Sequence, residues 1–312
     1  MSSNEHVPVL LGPVLDGLQI KESGVYVDGT FGRGGHSRAI LEKLGKAGRL
    51  IAIDRDPQAI SSAPATLTDD PRFELIRGEI AELEKFLGER ELTRNVDGLL
   101  LDLGVSSPQL DEADRGFSFL RDGPLDMRMD PDEGISAADW LASMEETELR
   151  RTLKIFGEEP HASRIARAVV AARENTAIQT TIDLARIVEN AVPAKVRHQR
   201  KHPATKTFQA IRIAVNNELE QLEQALSQSL RILGKGGRLC VIAFHSLEDR
   251  IVKRFMRDRS RVVEQYRGMP DIPEEFFPDF ELIGRAIKAT DDEITANVRA
   301  RSARLRVAER AK

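Results

Sequence analysis

The chain has 312 residues, 41% of them apolar, a formal net charge of −4 and a single cysteine, Cys240. That length supports a sizeable core and more than one domain, while one cysteine excludes an internal disulfide and fits a reducing, cytoplasmic compartment. No apolar run is long enough to cross a bilayer, the opening MSSNEHVP lacks a basic-then-apolar signal, no Cys/His cluster has metal-ligand spacing, and the bulk charge announces no nucleic-acid binder, so any such surface must be local.

In chain order, HVPVLLGPVLDGL reads as a short helix, with His6 beside it in a local structural role. Val25 to Val27 then form a buried strand closed by Asp28. A turn rich in glycine follows (Gly29, Gly32, Gly34, Gly35), then a helix with Ile40, Leu41 and Leu44 on one side. Gly45 and Gly48 end it, and a second strand, Leu50 to Ile53, runs into Asp54. A strand–turn–helix–strand unit calls for a parallel sheet with a right-handed crossover. Its glycines admit a ligand close to the backbone, and an acid at the end of the second strand can accept from both hydroxyls of a ribose.

Two ribose ligands compete for this unit. The dinucleotide fingerprint needs a third glycine where this chain has Ser37. The acid-x-G-x-G-x-G pattern of S-adenosylmethionine (SAM) enzymes fits Asp28, Gly32 and Gly34, with Thr30 at the first glycine. A carboxylate at Asp28 suits the cationic amine of a methionine moiety and repels a pyrophosphate, which favours SAM. The competing reading is that Asp28 caps a turn that the glycines shape.

A helix around Pro57 to Ala65 leads to a third strand, Phe73 to Arg77, followed by Gly78-Glu79-Ile80 beside the expected adenine pocket. Glu79 either accepts from the adenine amine or is an ordinary strand end, and Ile80 covers the ring. Val96 to Leu101 is a strong fourth strand ending in Asp102. Strand order reverses there, which is where the reacting group belongs. Residues 111–135 read as an ordered loop whose Phe117, Phe119, Leu125, Met127 and Met129 need burial. From Ser136, with Asp139 as its capping partner, to about 205 there are only helical patterns, including one capped by Thr181. KVRHQRKHPATK (195–206) has five Lys or Arg and no acid, and reads as a phosphate-binding surface. A single long amphipathic helix is expected from Phe208 to Leu233, then a GKGG turn and a fifth strand, RLCVIAFHS. In a strand order 3-2-1-4-5, this places His245 at the same mouth as Asp102. The helix SLEDRIVKRFMRDRSR carries many Arg, and closing strands are expected at 280–289 and 303–308.

Six stretches together carry a resemblance over nearly the whole chain: HVPVLL, YVDGTFGRGGHS, AIDRDPQAI, LLDLGVSSPQLDEADRGFSFLRDGPLDMRMDP, HPATKTFQAIRIAVNNEL and FHSLEDRIVKRF. The chain resembles the bacterial RsmH (MraW) family, SAM-dependent methyltransferases that modify cytosine N4 in 16S ribosomal RNA. The resemblance implies an α/β, Rossmann-like class I methyltransferase sheet with an inserted all-helical domain. It divides into a core first part at 1–110, a helical insertion for RNA recognition at 111–205, and a core second part at 206–312. It implies cofactor contacts at Gly34, Gly35, His36, Asp54, Ile80, Asp102 and Gln109, with Ile80 where the family often has an aromatic. It implies a partner in the 16S rRNA of the small subunit; a homodimer stays open, and the residues themselves point to no metal and no membrane.

The mechanism expected from these residues is positioning. The amine of cytosine is a poor nucleophile, so Asp102 holds or deprotonates it, carbonyls of the Leu103 to Ser106 turn assist, and His245 helps. The target base leaves its stack to reach them. Methylation at carbon 5 needs a thiol, and Cys240 lies within a strand. Other acceptors (DNA, protein) and a non-catalytic SAM-binding module remain alternatives.

Overall fold

The computed structural model describes residues 8–197, 201–262, 266, 272–273 and 276–312; His6 and Arg200 lie outside them. The chain divides into two compact units, one of residues up to Gly104 together with Leu219–Lys312, the other Val105–Glu218.

The first unit holds a mixed sheet of β1 (Val25–Asp28), β2 (Arg49–Asp54), β3 (Phe73–Arg77), β4 (Val96–Asp102), β5 (Leu233–Ala243), β6 (Phe280–Leu282), β7 (Ile287–Lys288) and β8 (Arg304–Arg310). The order is β3-β2-β1-β4-β5-β8-β6, with β7 also on β8. The first five strands run parallel, and β8 returns antiparallel to β5. This is the expected Rossmann-like arrangement, with the order reversing between β1 and β4.

Strand residues alternate between two cores, as a pleat demands of a sheet covered on both faces. Val27, Ile51, Ile53, Leu99, Leu101 and Val241 enter one cluster. Tyr26, Leu50, Ala52, Leu100, Cys240 and Ile242 enter the other. Because alternate residues must serve opposite faces, the strand ends are fixed in register. Asp28 lies opposite Leu100, and Asp102 opposite Ile242.

Several elements differ from the sequence reading. The helix expected around 57–65 is two short ones, Pro57–Ser61 and Ala65–Thr68. The GKGG segment is absorbed into β5, where the stretch of β5 from Leu233 to Arg238 matches Val96 to Gly98 of β4 and Gly236 takes φ 77°. The long amphipathic helix is broken into Thr205–Val215 and Glu218–Ile232. Its break has a clear cause. The Asn216 amide donates to Met127 O (2.7 Å) and accepts from Met129 N (2.7 Å), and Asn217 turns left-handed at φ 50°.

The second unit's regular structure among the described residues is helical. Ala137–Ser143, Glu146–Phe156, Ala162–Arg173, Thr181–Ala191 and Thr205–Val215 enclose Leu141, Leu149, Leu153, Ile165, Val169, Leu184, Val188 and Ile211. Thr180, rather than Thr181, caps the fourth of these, accepting from Asp183 N. Val105–Glu218 is longer than the 111–205 read from sequence. The broken helix explains the later boundary, since Phe208 and Ile211 belong to this core.

Candidate active site

The turn after β1 is built by its polar side chains. Asp28 accepts from Thr30 N (3.2 Å) and Ser37 Oγ (2.7 Å) and is buried. Burial raises its pKa above the ordinary carboxylate value, against the pull of His36. It thus caps the turn, the competing reading of this residue. The Thr30 hydroxyl accepts from Asp102 N at 2.7 Å, which ties the turn to the end of β4.

The glycines do different jobs. Gly34 sits at φ 71°, and a Cβ there would meet the Phe31 ring at 2.7 Å and Leu67 at 2.8 Å; a Cβ at Gly35 would strike Pro8. Both are demanded by packing. Gly32 (φ 54°) has nothing within 4 Å of a Cβ position, and Gly104 (φ 96°) meets only Phe244 at 3.6 Å. At both positions the backbone stands bare, with room for a ligand to approach.

Asp54 closes β2. Its Oδ2 accepts from Gly32 N (2.7 Å) and its Oδ1 from Asp56 N (2.9 Å). Each oxygen keeps a lone pair for a hydroxyl. Burial raises its pKa to about 6 against those two hydrogen bonds.

Asp102 closes β4 and differs in its partners. Its Oδ1 is shut from solvent without a hydrogen bond, and its Oδ2 lies 3.6 Å from His36 Nδ1. Burial raises its pKa to about 6; His36 opposes, and the negative charges of Asp28 and Glu248 add to the rise. His36 is held from behind, its Nε2 lying 3.0 Å from the Val9 carbonyl. A carbonyl only accepts, so Nε2 carries the proton and Nδ1 faces Asp102.

The other expected residues fall as follows. His245 caps helix Ser246–Arg259: its Nδ1 accepts from Glu248 N, while Glu248 accepts in return from Phe244 N (2.8 Å) and His245 N (3.2 Å). Its position is three residues past Ile242, the register partner of Asp102. Its Nε2 is buried, without a hydrogen bond, 3.2 Å from Glu248 Oε1. Ile80 is half-buried against the core, 3.5 Å from a Cβ position on Gly29. Glu79 is taken by Arg55 (3.2 Å) and by the Gln221 amide. Gln109 belongs to the second unit, where its Oε1 accepts from Ser106 N (2.9 Å) in a capping box. Cys240 is buried in β5, its thiol pushed up to about 12. Sequence reasoning placed Thr30 and Gly32 in the acid-glycine pattern but missed the bond between the Thr30 hydroxyl and Asp102 N and the open backbone at Gly104, neither of which has a local signal.

A sulfonium nucleoside fits this arrangement: bare backbone at Gly32, an acid at the end of β2 with acceptor capacity for a ribose, and a partnerless carboxylate oxygen at the end of β4.

A sequence model described as the MraW methylase family matches residues 3–311. Among solved structures, the chain is similar to a candidate rRNA methylase from Clostridium thermocellum, with 14% identity, 98% of each chain covered and a TM-score of 0.44. It is similar to an rRNA methylase from Streptococcus thermophilus, with 13% identity, 98% and 99% covered and a TM-score of 0.42. A SAM-dependent methyltransferase from Aquifex aeolicus gives 9% identity, 97% and 90% covered and a TM-score of 0.41. None of these three likenesses bears on the choice of substrate.

Proposed function

The chain belongs to the MraW methylase family and is a SAM-dependent methyltransferase, and from that premise we propose that it methylates the N4 amine of a cytidine in the 16S rRNA of the small ribosomal subunit. SAM supplies an electrophilic methyl group on a sulfonium. The N4–methyl bond forms as the sulfur–methyl bond breaks, and the amine gives up one proton. Asp102 is the group proposed to orient that amine and take its proton. The observation that carries this role is its Oδ1, buried and without a hydrogen bond at the point where strand order reverses. A buried acceptor left unmatched is costly unless a substrate donor meets it. A pKa near 6 leaves it ionised at neutral pH yet basic enough to accept. His36, its Nε2 given to the Val9 carbonyl, turns Nδ1 toward Asp102. His245 is proposed only to hold the end of β5, through its cap. Asp54 takes the ribose, Gly34 and Gly35 shape the turn that receives the cofactor, and Ile80 lies under the adenine.

That second unit is proposed as the RNA-recognition part, with Lys195, Arg197 and Lys201 as phosphate contacts. We place the enzyme in the cytoplasm with its substrate; no helix among the described residues is long and apolar enough to cross a membrane. Carbon-5 chemistry is disfavoured by Cys240, whose buried thiol is held protonated. The deciding experiment is methyl transfer from labelled SAM to small subunits from cells lacking the enzyme, with the product nucleoside identified by mass spectrometry. N4-methylcytidine is the expected product. Transfer to duplex DNA or protein instead, or tight SAM binding with no transfer, would replace the reading.

A further inference from the structure

Helix Ser246–Arg259 sorts its charges by sign. Glu248 and Asp249 are buried, the first in the cap and the second accepting from Arg306 Nε at 2.7 Å and Arg304 Nη1 at 3.0 Å. Arg250, Lys253, Arg254 and Arg257 are exposed, and Asp258 is the one exposed acid of the helix. A second group of cations gathers at the neighbouring strand end. Arg304 opens β8 with Ala243, the last residue of β5, opposite on one side and Lys288 of β7 on the other. Like charges directly across a strand pair are unfavourable. Lys253 lies one helical turn beyond Asp249, which holds Arg304. Arg301 is exposed in the turn Val298–Ser302 just ahead of β8. The acids of the intervening helix Asp291–Ala296 are in its first turn, next to the helix's own positive end, and Glu293 accepts from Leu10 N. Among the described residues, the side chains of Lys253, Lys288 and Arg301 have no hydrogen-bond or ion-pair partner. In a chain of net charge −4 this is a local excess of positive charge. It sits at the carboxyl end of β5, one residue past Ile242, the register partner of Asp102.

We propose that Lys253, Lys288, Arg301 and Arg304 form a rim that binds the phosphodiester backbone of the substrate RNA beside the methyl-transfer site. The inference rests on the rRNA reading above. Arg304 is pre-placed by Asp249, and a phosphate between it and Lys288 turns a repulsion into two attractions. Such contacts fix position and add affinity without reading bases. The test is the full-length triple variant Lys253→Ala, Lys288→Ala, Arg301→Ala, with Arg304 kept. S-adenosylhomocysteine binding, followed by calorimetry, should be unchanged. Affinity for unmodified small subunits should fall by about tenfold or more near 0.15 M salt, and the slope of log affinity against log salt should drop by about 2, roughly 0.7 for each phosphate no longer neutralised. KM for RNA should rise with little change in kcat. Should the triple variant not fold, the single Gln variants each lower the slope by about 0.7. Wild-type affinity and slope in a variant of an enzyme that does methylate RNA would overturn the rim and leave the rRNA reading standing. A wild-type protein that neither binds nor methylates small subunits would overturn both.

Discussion

The ends of β2 and β4 carry the same residue type, buried to a similar degree, each with its pKa raised to about 6. Their surroundings differ. Asp54 has a backbone N–H on each oxygen, whereas Asp102 has one oxygen with no partner and the other facing an imidazole. The first is fixed in place and suited to holding a ligand. The second is held through its backbone, by Thr30 and by its pairing with β5, and its carboxylate keeps an acceptor oxygen without a hydrogen bond. The same displacement from the ordinary carboxylate value thus accompanies two different sets of partners, and the partners, not the shift, set apart the roles proposed for the two acids.

The sharpest way to break this contrast is to neutralise each acid. Asp102→Asn should lower kcat by about 10²- to 10⁴-fold, the usual range for a proton-transfer group, and leave S-adenosylhomocysteine affinity within a few-fold. Near-normal turnover in steady-state assays would remove Asp102 from the chemistry. Asp54→Ala should do the reverse, weakening cofactor binding by about 10- to 100-fold, as the removal of charge-assisted hydrogen bonds implies, with kcat largely recovered at saturating SAM. Calorimetry and initial rates separate the two.

Acidity sharpens the comparison further. If Asp102 must be ionised, kcat should fall about tenfold per pH unit below about 6 in the wild type. A flat profile down to pH 5 would contradict that. Stability runs the other way. A carboxyl whose folded pKa lies above its unfolded value of 3.8 binds its proton more tightly when folded. Its favourable contribution is full below that value and is lost as pH rises through 6. Asp102→Asn should therefore stabilise the protein at pH 7 to 8 by about 1–3 kcal/mol and have little effect near pH 4, as thermal unfolding would show. The smallest effect belongs to Cys240→Ala. It should cost about 1 kcal/mol of stability by opening a small void in a packed core and leave the rate unchanged; a large loss of activity would revive a thiol mechanism.

Much of this is legible in the sequence. Short β-branched runs ending in acids mark the parallel strands, and the glycines after Asp28 mark the ligand-facing turn. What stays hidden depends on distant partners. The apolar period runs without interruption through Asn216 and Asn217, so nothing local reveals that the amide of Asn216 is claimed by Met127 and Met129. Glu79 reads as open to a ligand, whereas in the fold Arg55 and Gln221 occupy it. Asp28 reads as able to meet a ligand as Asp102 does; only burial and the hydroxyl of Ser37 show it turned inward. Both aspartates close strands, and the difference between them is made by the fold.

The short segment at Pro8 and Val9 has a practical consequence. It covers Gly35, and its carbonyl fixes the ring of His36, which faces Asp102. A protease nick or a cloning choice that removed those two residues would spare most of both hydrophobic layers of the sheet, and circular dichroism would still report a folded enzyme. The imidazole would be released to rotate, and the preparation would look healthy while turning over poorly.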